Sequence, residues 1–183
     1  MTEQLAKAAT EISHFEMTHD AEYLRSAIDV MEDVNLSRAG QEQRLETRSQ
    51  VAAMWLSLIG AIERSLDANF DPADVPERGV IPPESGGEEL PPGADPKAIK
   101  DPIARAQYEA ALQENRRKAQ QYSLQTKLGR LDPRATTDVQ RFLAQNFSRS
   151  DDDRKELDRI FGESSISAQR KQQLRAALEK NGK

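Results

Sequence analysis

Apolar residues recur at intervals of three and four along most of the chain, the spacing that places them on one face of an α-helix. In the first 70 residues this pattern predicts three helices, over about residues 3–18, 21–34 and 38–69. Asp20 stands directly before the second helix, where its carboxylate is suited to cap the first turn. The buried face of the first helix is expected to consist of Leu5, Ala8, Ile12 and Phe15.

The third predicted helix has the widest apolar face in the chain. An apolar arc of this width indicates a helix that is covered from more than one side. We therefore predict that this helix is the most buried one and that Trp55, the only tryptophan, lies in the core. The residues of the arc are Val51, Ala52, Met54, Trp55, Leu58, Ile59, Ile62 and Leu66.

Proline and glycine divide the chain in its middle. Eight of the nine prolines lie between Pro72 and Pro102, together with four glycines. Because proline lacks the amide donor and fixes φ, no long regular element is expected there. We interpret residues 71–101 as an irregular connector, and its apolar residues Val80, Ile81 and Leu90 indicate that it packs on the helices.

Helix start and stop signals organise the remainder of the chain. Asp101 and Pro102 predict the start of a long fourth helix, which Gly129 is expected to end in the left-handed conformation. The same Asp-Pro pair at 132–133 predicts a fifth helix to about residue 146. Ser150 and Ser167 are predicted to cap two further short helices, over about 151–161 and 168–180.

The predicted fold is therefore all-α. It is a helical bundle with three N-terminal helices, a proline-rich connector, and one long and three short C-terminal helices. The predicted organisation is an N-terminal helical unit over 1–70, the connector over 71–101 and a C-terminal helical unit over 102–183. A single fused domain is the alternative.

Two resemblances accompany this pattern, and neither carries a function. The spacing of Ala8, Phe15, Tyr23 and Ala27 loosely resembles a tetratricopeptide-type helical hairpin, but no second copy follows at a period near 34. The segment 101–143, which begins DPIARAQYEAAL, resembles a motif of uncharacterised bacterial helical proteins. That resemblance implies no activity and no functional residue.

Composition excludes several kinds of chemistry. The chain has 183 residues, no cysteine and two histidines, so thiol chemistry and cysteine zinc sites are excluded and a multi-histidine metal centre is nearly so. The longest apolar run, 51–62, is too short to span a bilayer, which needs about 20 residues. With no signal-peptide pattern, the expected location is cytoplasmic, although a processed exported protein would look the same.

Charge is distributed unevenly along the chain. Residues 1–70 carry six Lys and Arg against twelve Asp and Glu, whereas residues 103–183 carry seventeen against eleven. Such an asymmetry suggests either a polyanion partner or docking of the basic part on the acidic part. We favour docking, within the chain or on a second copy of it.

Two groups of polar residues are candidates for metal ligands. His14 and His19 are five positions apart, so on one helix they lie about 140° from each other and cannot share an ion. The carboxylates of Asp151, Asp152 and Asp153 follow Ser150, which is the arrangement of a capped helix N-terminus. No cofactor and no catalytic residue are predicted.

The function that follows is a non-catalytic interaction, scaffolding or adaptor protein that binds another protein. The alternative is binding of nucleic acid or another anionic surface through the basic C-terminal helices, since clustered Lys and Arg residues bind phosphates. The residues of that alternative site are Arg116, Arg117, Lys118, Arg170, Lys171 and Arg175.

Overall fold

The computed structural model describes residues 2–36, 44–73, 95–147 and 150–181, and in these residues the fold is all-α as predicted. They contain no β-strand, and none of their helices is long and apolar enough to cross a membrane. The helices are α1 (Thr2–Thr18), α2 (Ala21–Leu36), α3 (Leu45–Ser65), α4 (Pro102–Asn146), α5 (Asp151–Glu163) and α6 (Ala168–Asn181), with a 3-10 turn at Pro96–Ala98.

The chain divides into two compact units. The first consists of Met1–Leu66 and Lys127–Lys183, and the second consists of Asp67–Thr126. The division falls inside α4. Most of the predicted connector, residues 74–94, lies outside the described residues.

The first two helices form a hairpin with a two-residue connection. His19 ends α1 in the left-handed conformation, with φ at 55°, and its N–H donates to the carbonyl of Phe15 at 2.7 Å. The Asp20 carboxylate then accepts the N–H of Glu22 at 3.0 Å, which confirms its predicted role as a cap. The predicted inner face of α1 is confirmed, because Leu5, Ala8, Ile12 and Phe15 are buried.

The core of the first unit is built around α3, which contacts α1, α2 and α5. Trp55 is fully buried, as predicted, and its indole N–H donates to the side-chain oxygen of Asn35 at 3.2 Å. The predicted end of this helix at Asn69 is wrong. Helix α3 ends at Ser65, and the Asp67 carboxylate accepts the N–H of Asn69 in a following turn. The predicted start at Arg38 lies outside the described residues.

The largest correction concerns α4. We predicted a stop at Gly129 and a new helix at Asp132, but one helix runs through both positions and through Pro133. Gly129 does not adopt the left-handed conformation. The C-terminal part of the chain therefore has one long and two short helices, and the predicted third short helix does not exist.

Burial on both sides of Pro133 explains this continuity. The missing proline N–H removes one backbone hydrogen bond, to the carbonyl of Gly129, at a cost of about 3 kcal/mol. A fully buried large apolar side chain contributes about 1.5–3 kcal/mol, and several flank the proline. The buried residues are Leu128, Ala135, Val139, Phe142 and Leu143.

The second unit is held by contacts that Tyr122 and Gln125 of α4 make with the residues that follow α3. The rings of Phe70 and Tyr122 are 5.4 Å apart, and the Tyr122 hydroxyl donates to the carbonyl of Pro72 at 2.9 Å. The side-chain oxygen of Gln125 accepts the N–H of Asp67 at 2.8 Å.

The two short C-terminal helices start at the predicted caps. The Ser150 hydroxyl oxygen accepts the N–H of Asp153 at 3.1 Å, and the Ser167 hydroxyl oxygen accepts the N–H of Arg170 at 3.1 Å. Helix α5 passes through Gly162, where we expected it to end, and finishes one residue later.

Candidate functional site

Arg170, the first residue of the basic patch predicted on α6, is bound inside the first unit. Its Nη2 donates to both carboxylate oxygens of Asp132, at 2.9 and 3.1 Å, and its Nη1 donates to the Thr136 hydroxyl at 3.0 Å. Only 13% of the Arg170 side chain is exposed. Asp132, which we expected to cap a helix, instead anchors α6 to α4.

The other two basic residues predicted on α6 also make internal contacts. Lys171 donates to the carbonyl of Ser164 at 3.3 Å. The guanidinium of Arg175 donates to Asp158 at 2.8 Å and lies 5.3 Å from the centre of the Phe161 ring. These contacts hold α6 against α5 and leave less of the positive charge available to a polyanion.

The predicted residues on α4 lie in the second unit. Arg117 forms two hydrogen bonds with Glu114, at 2.8 and 2.9 Å, and these lower the pKa of that carboxyl. Arg116 and Lys118 are exposed. Because consecutive residues of a helix point about 100° apart, the three cations do not share one face.

The two histidines have structural surroundings. His14 makes an edge-to-face contact with Tyr23, with ring centres 5.2 Å apart, and His19 is the left-handed residue that ends α1. Across the described ranges, no group of three or more Asp, Glu or His side chains is arranged to hold a metal ion.

Acidic residues of α2 bind basic residues of α4 within the first unit. Arg134 donates to both carboxylate oxygens of Glu32, at 2.6 and 2.8 Å, and to Asp29 at 2.7 Å. Lys127 lies 3.3 Å from Glu22. These pairs agree with the expectation that the basic part of the chain docks on its acidic part.

Asp138 joins this helix contact as a second carboxyl group beside Glu32. Burial, together with the hydrogen bond to Glu32, raises the pKa of Asp138 to about 6. The hydrogen bond from Arg134 instead lowers the pKa of Glu32. Below about pH 6 Asp138 is therefore protonated beside the ionised Glu32, and the two side chains help to join α2 and α4.

A concave surface of the first unit follows the exposed strip of α3. We call it the α3 groove, and it consists of two cavities on one helix. The first cavity lies between α1 and α3 and the second between α3 and α5. The residues of α3 that line them are Leu45, Glu46, Ser49, Gln50, Ala53, Met54, Ser57 and Arg64.

The first cavity has a volume of about 230 Å³. Its lining includes the apolar side chains of Ala9, Ile12 and Met54. At its edge Arg64 donates to the Glu16 carboxylate at 2.6 Å and to the Ser165 hydroxyl at 2.9 Å. This end of the groove therefore has an apolar wall and, at its edge, a cation and a carboxylate that neutralise each other.

The second cavity is larger, about 450 Å³, and is lined by more carboxylate than cation. Arg159 donates to Glu156 at 2.6 and 2.9 Å and to Glu163 at 2.7 and 2.8 Å. These bonds to Arg159, together with one from Ser49, lower the pKa of Glu156 to about 2. Glu46 adds an exposed carboxylate, so this end of the groove is negative at neutral pH.

Gly60 fixes one boundary of the groove. A Cβ atom at this position would lie 3.1 Å from both Arg64 Nη1 and Ser165 Oγ. The absence of a side chain thus lets the α5–α6 connection approach α3 closely. Glu63 strengthens this contact, because its carboxylate accepts the Ser167 N–H at 2.8 Å and also the Ser167 hydroxyl.

The groove is not among the features predicted from the sequence. The apolar stripe of α3 indicates coverage from more than one side, but it does not show that the small and polar positions between the apolar ones line a groove. Gln50, Ala53 and Ser57 recur at intervals of three and four, which is the signal that could have marked an exposed strip on an otherwise buried helix.

Comparisons with known proteins add no further assignment. No protein-family model matches the chain, and neither the curated proteins nor the solved structures give a significant match.

Proposed function

We propose that this protein is a non-catalytic adaptor that binds another protein in the α3 groove. The observation that carries the proposal is the pair of cavities along one exposed strip of α3, the helix that also forms the core of the first unit. A surface that rests on a buried helix is already formed before binding, which lowers the entropy cost of association. Concave surfaces with an apolar lining and a charged edge are typical of binding sites.

The distribution of shifted pKa values supports a non-catalytic role. Catalytic sites gather perturbed titratable groups in a cleft. Here Asp138 and Glu32 lie in the contact between α2 and α4, where arginines bind them. Glu156 does line the groove, but the bonds from Arg159 keep it ionised, so it acts as a fixed negative charge.

Binding of nucleic acid through the C-terminal helices has less support. Arg170 and Arg175 already bind carboxylates, and phosphate binding would have to displace those partners. Arg116 and Lys118 are exposed, but residues two apart on a helix point in different directions.

The test of the proposal is quantitative affinity purification of the tagged full chain from its native cells. Ala53→Arg and Ser57→Arg place a long cation in the groove, and Ala176→Arg places the same side chain on the exposed surface of α6 as a control. Circular dichroism checks that all three variants fold.

We expect at least one protein that is retained by the wild type and by Ala176→Arg and that is lost from both groove variants. If the two groove variants retain the same proteins as the control, the groove is not the binding surface and the proposal fails.

A further inference from the structure

The groove excludes most of the ways in which proteins bind peptide segments. Addition of a β-strand needs an exposed sheet edge, and residues 2–36, 44–73, 95–147 and 150–181 form no strand. Polyproline segments bind to aromatic surfaces, but no aromatic residue lines either cavity. Phosphorylated segments need free arginines, whereas Arg64 and Arg159 are bound to carboxylates. A helix that lies in the groove remains.

The first cavity indicates what such a helix would bury. Ala9, Ile12 and Met54 supply its apolar wall, and the ion pair between Glu16 and Arg64 needs no further partner. A volume of about 230 Å³ accommodates one large apolar side chain such as leucine, methionine or phenylalanine. Burial of such a side chain is worth about 1.5–3 kcal/mol.

The second cavity indicates a positive charge on the occupant. Glu46 and Glu156 line it together with the single cation Arg159, which also binds Glu163. Because Arg159 already binds Glu156, Glu46 is the carboxylate that a lysine or arginine of the occupant would meet at this end. Complementary charge of this kind sets the orientation and selects partners more than it adds affinity.

The distance between the two cavities sets the spacing of these two residues. Ser49 lines the second cavity and Ser57 lines the first, and both belong to α3. Eight residues of a helix span roughly 12 Å, or about two turns. A parallel or antiparallel helix would therefore reach both cavities with side chains about two turns apart.

From this geometry we infer that the occupant of the α3 groove is an amphipathic helix of another protein. It carries a large apolar residue for the cavity beside Met54 and, about two turns away, a basic residue for the carboxylates beside Glu46. The inference rests on the proposed function and narrows its partner to one chemical class.

The experiment is selection of peptides against the full chain from a phage-displayed library of random sequences of about 20 residues, enough to cover the helical strip. Selected peptides are synthesised, and their dissociation constants are measured by fluorescence anisotropy. The proteins compared are the wild type, Ser57→Arg, Glu46→Lys and the control Ala176→Arg.

We expect the selected peptides to become helical on binding and to share an apolar and a basic residue about two turns apart. Ser57→Arg should abolish binding, and Ala176→Arg should leave it unchanged. Glu46→Lys should weaken binding about threefold to fivefold, the scale of a partly exposed ion pair, and exchange of the peptide's basic residue for glutamate should recover most of that loss.

The outcomes separate the two proposals. Selected peptides that are extended, proline-rich or acidic but still lose binding to Ser57→Arg would overturn the partner class and leave the groove as the site. Peptides that bind Ser57→Arg as tightly as the wild type, or a selection that enriches nothing, would overturn both.

Discussion

Arg48 of α3 and Asp153 of α5 form an ion pair at 3.1 Å in which only 15% and 6% of the two side chains are exposed. Arg48 also donates to the carbonyl of Asn146 near the end of α4, and its guanidinium lies 5.6 Å from the centre of the Phe147 ring. One cation thus binds a C-terminal carbonyl of α4 and a carboxylate in the first turn of α5. It fixes the connection between these helices and their position on α3.

This arrangement predicts a large loss of stability when the pair is broken. Arg48→Ala leaves Asp153 buried without its cation and should lower the free energy of unfolding by about 3–5 kcal/mol. Arg154→Ala is the matched control, since Arg154 is 74% exposed and lies 3.9 Å from Asp151. The control should change stability by less than about 1 kcal/mol. Urea unfolding measures both, and similar values would show that the buried pair has no special role.

Two glycines in helices predict different effects of the same substitution. Gly60→Ala places a methyl group 3.1 Å from Arg64 Nη1 and Ser165 Oγ, so these side chains must shift by a few tenths of an ångström, which offsets the gain that alanine gives in a helix. Gly129→Ala meets no atom within 4 Å and should stabilise α4 by about 0.5–1 kcal/mol. The melting temperatures of the two variants, each compared with that of the wild type, test both expectations. A gain of stability in Gly60→Ala as large as that in Gly129→Ala would contradict the close approach of the α5–α6 connection.

The contact between Glu32 and Asp138 predicts a dependence of stability on pH. Asp138 has a pKa of about 6 in the folded protein against 3.8 for an ordinary aspartate, so the folded state binds its proton more tightly. The stability due to this proton is fully present below about pH 3.8 and is lost as the pH rises through about 6.

Asp138→Asn keeps a donor toward Glu32 at every pH and should remove this loss. The melting temperature of the variant relative to the wild type should therefore rise between pH 4 and pH 7. Melting curves at pH 4, 5, 6 and 7 provide the measurement. A constant difference across this range would mean that Asp138 titrates as an ordinary carboxyl.

Glu156 predicts the opposite dependence of stability on pH. Its pKa of about 2 lies below the ordinary 4.5, so its bonds to Arg159 and Ser49 stabilise the fold above about pH 4.5 and fade as the pH falls toward 2. Glu156→Gln should cost about 1 kcal/mol at pH 7, since Arg159 is half exposed, and much less at pH 2.5. Unfolding at the two pH values provides the measurement, and an equal cost at both would contradict the assignment.

Sequence patterns predicted most of the helices because helix caps and apolar helix faces depend on residues that are close together in the chain. The caps Asp20, Ser150 and Ser167 and the burial of Trp55 follow from spacing and hydrogen-bonding capacity alone. The sequence did not predict that α4 continues through Asp132 and Pro133, because this pair, taken by itself, is typical of the start of a new helix. Two contacts outweigh this start signal. Apolar residues are buried on both sides of the proline, and Asp132 binds Arg170, which is 38 residues away in the chain.

The candidate functional site was harder to predict because it also depends on contacts between residues that are far apart in the chain. A basic cluster in the sequence does not reveal which cations the fold binds internally, and Arg170 and Arg175 are bound by Asp132 and Asp158. A groove exists only through the spacing between α3 and the helices beside it. The place of an exposed residue such as Ser57 in the groove is therefore apparent only when the positions of the neighbouring helices are known.

Photocrosslinking in the native cells tests the claim that the α3 groove binds another protein. The crosslinking amino acid p-benzoylphenylalanine replaces Ser57 in one variant and the exposed Ala176 in a matched control. We expect irradiation to join Ser57→p-benzoylphenylalanine to a discrete partner protein, and we expect no such adduct from the variant at Ala176. The claim would be contradicted by the absence of an adduct at position 57 or by the same adduct at both positions.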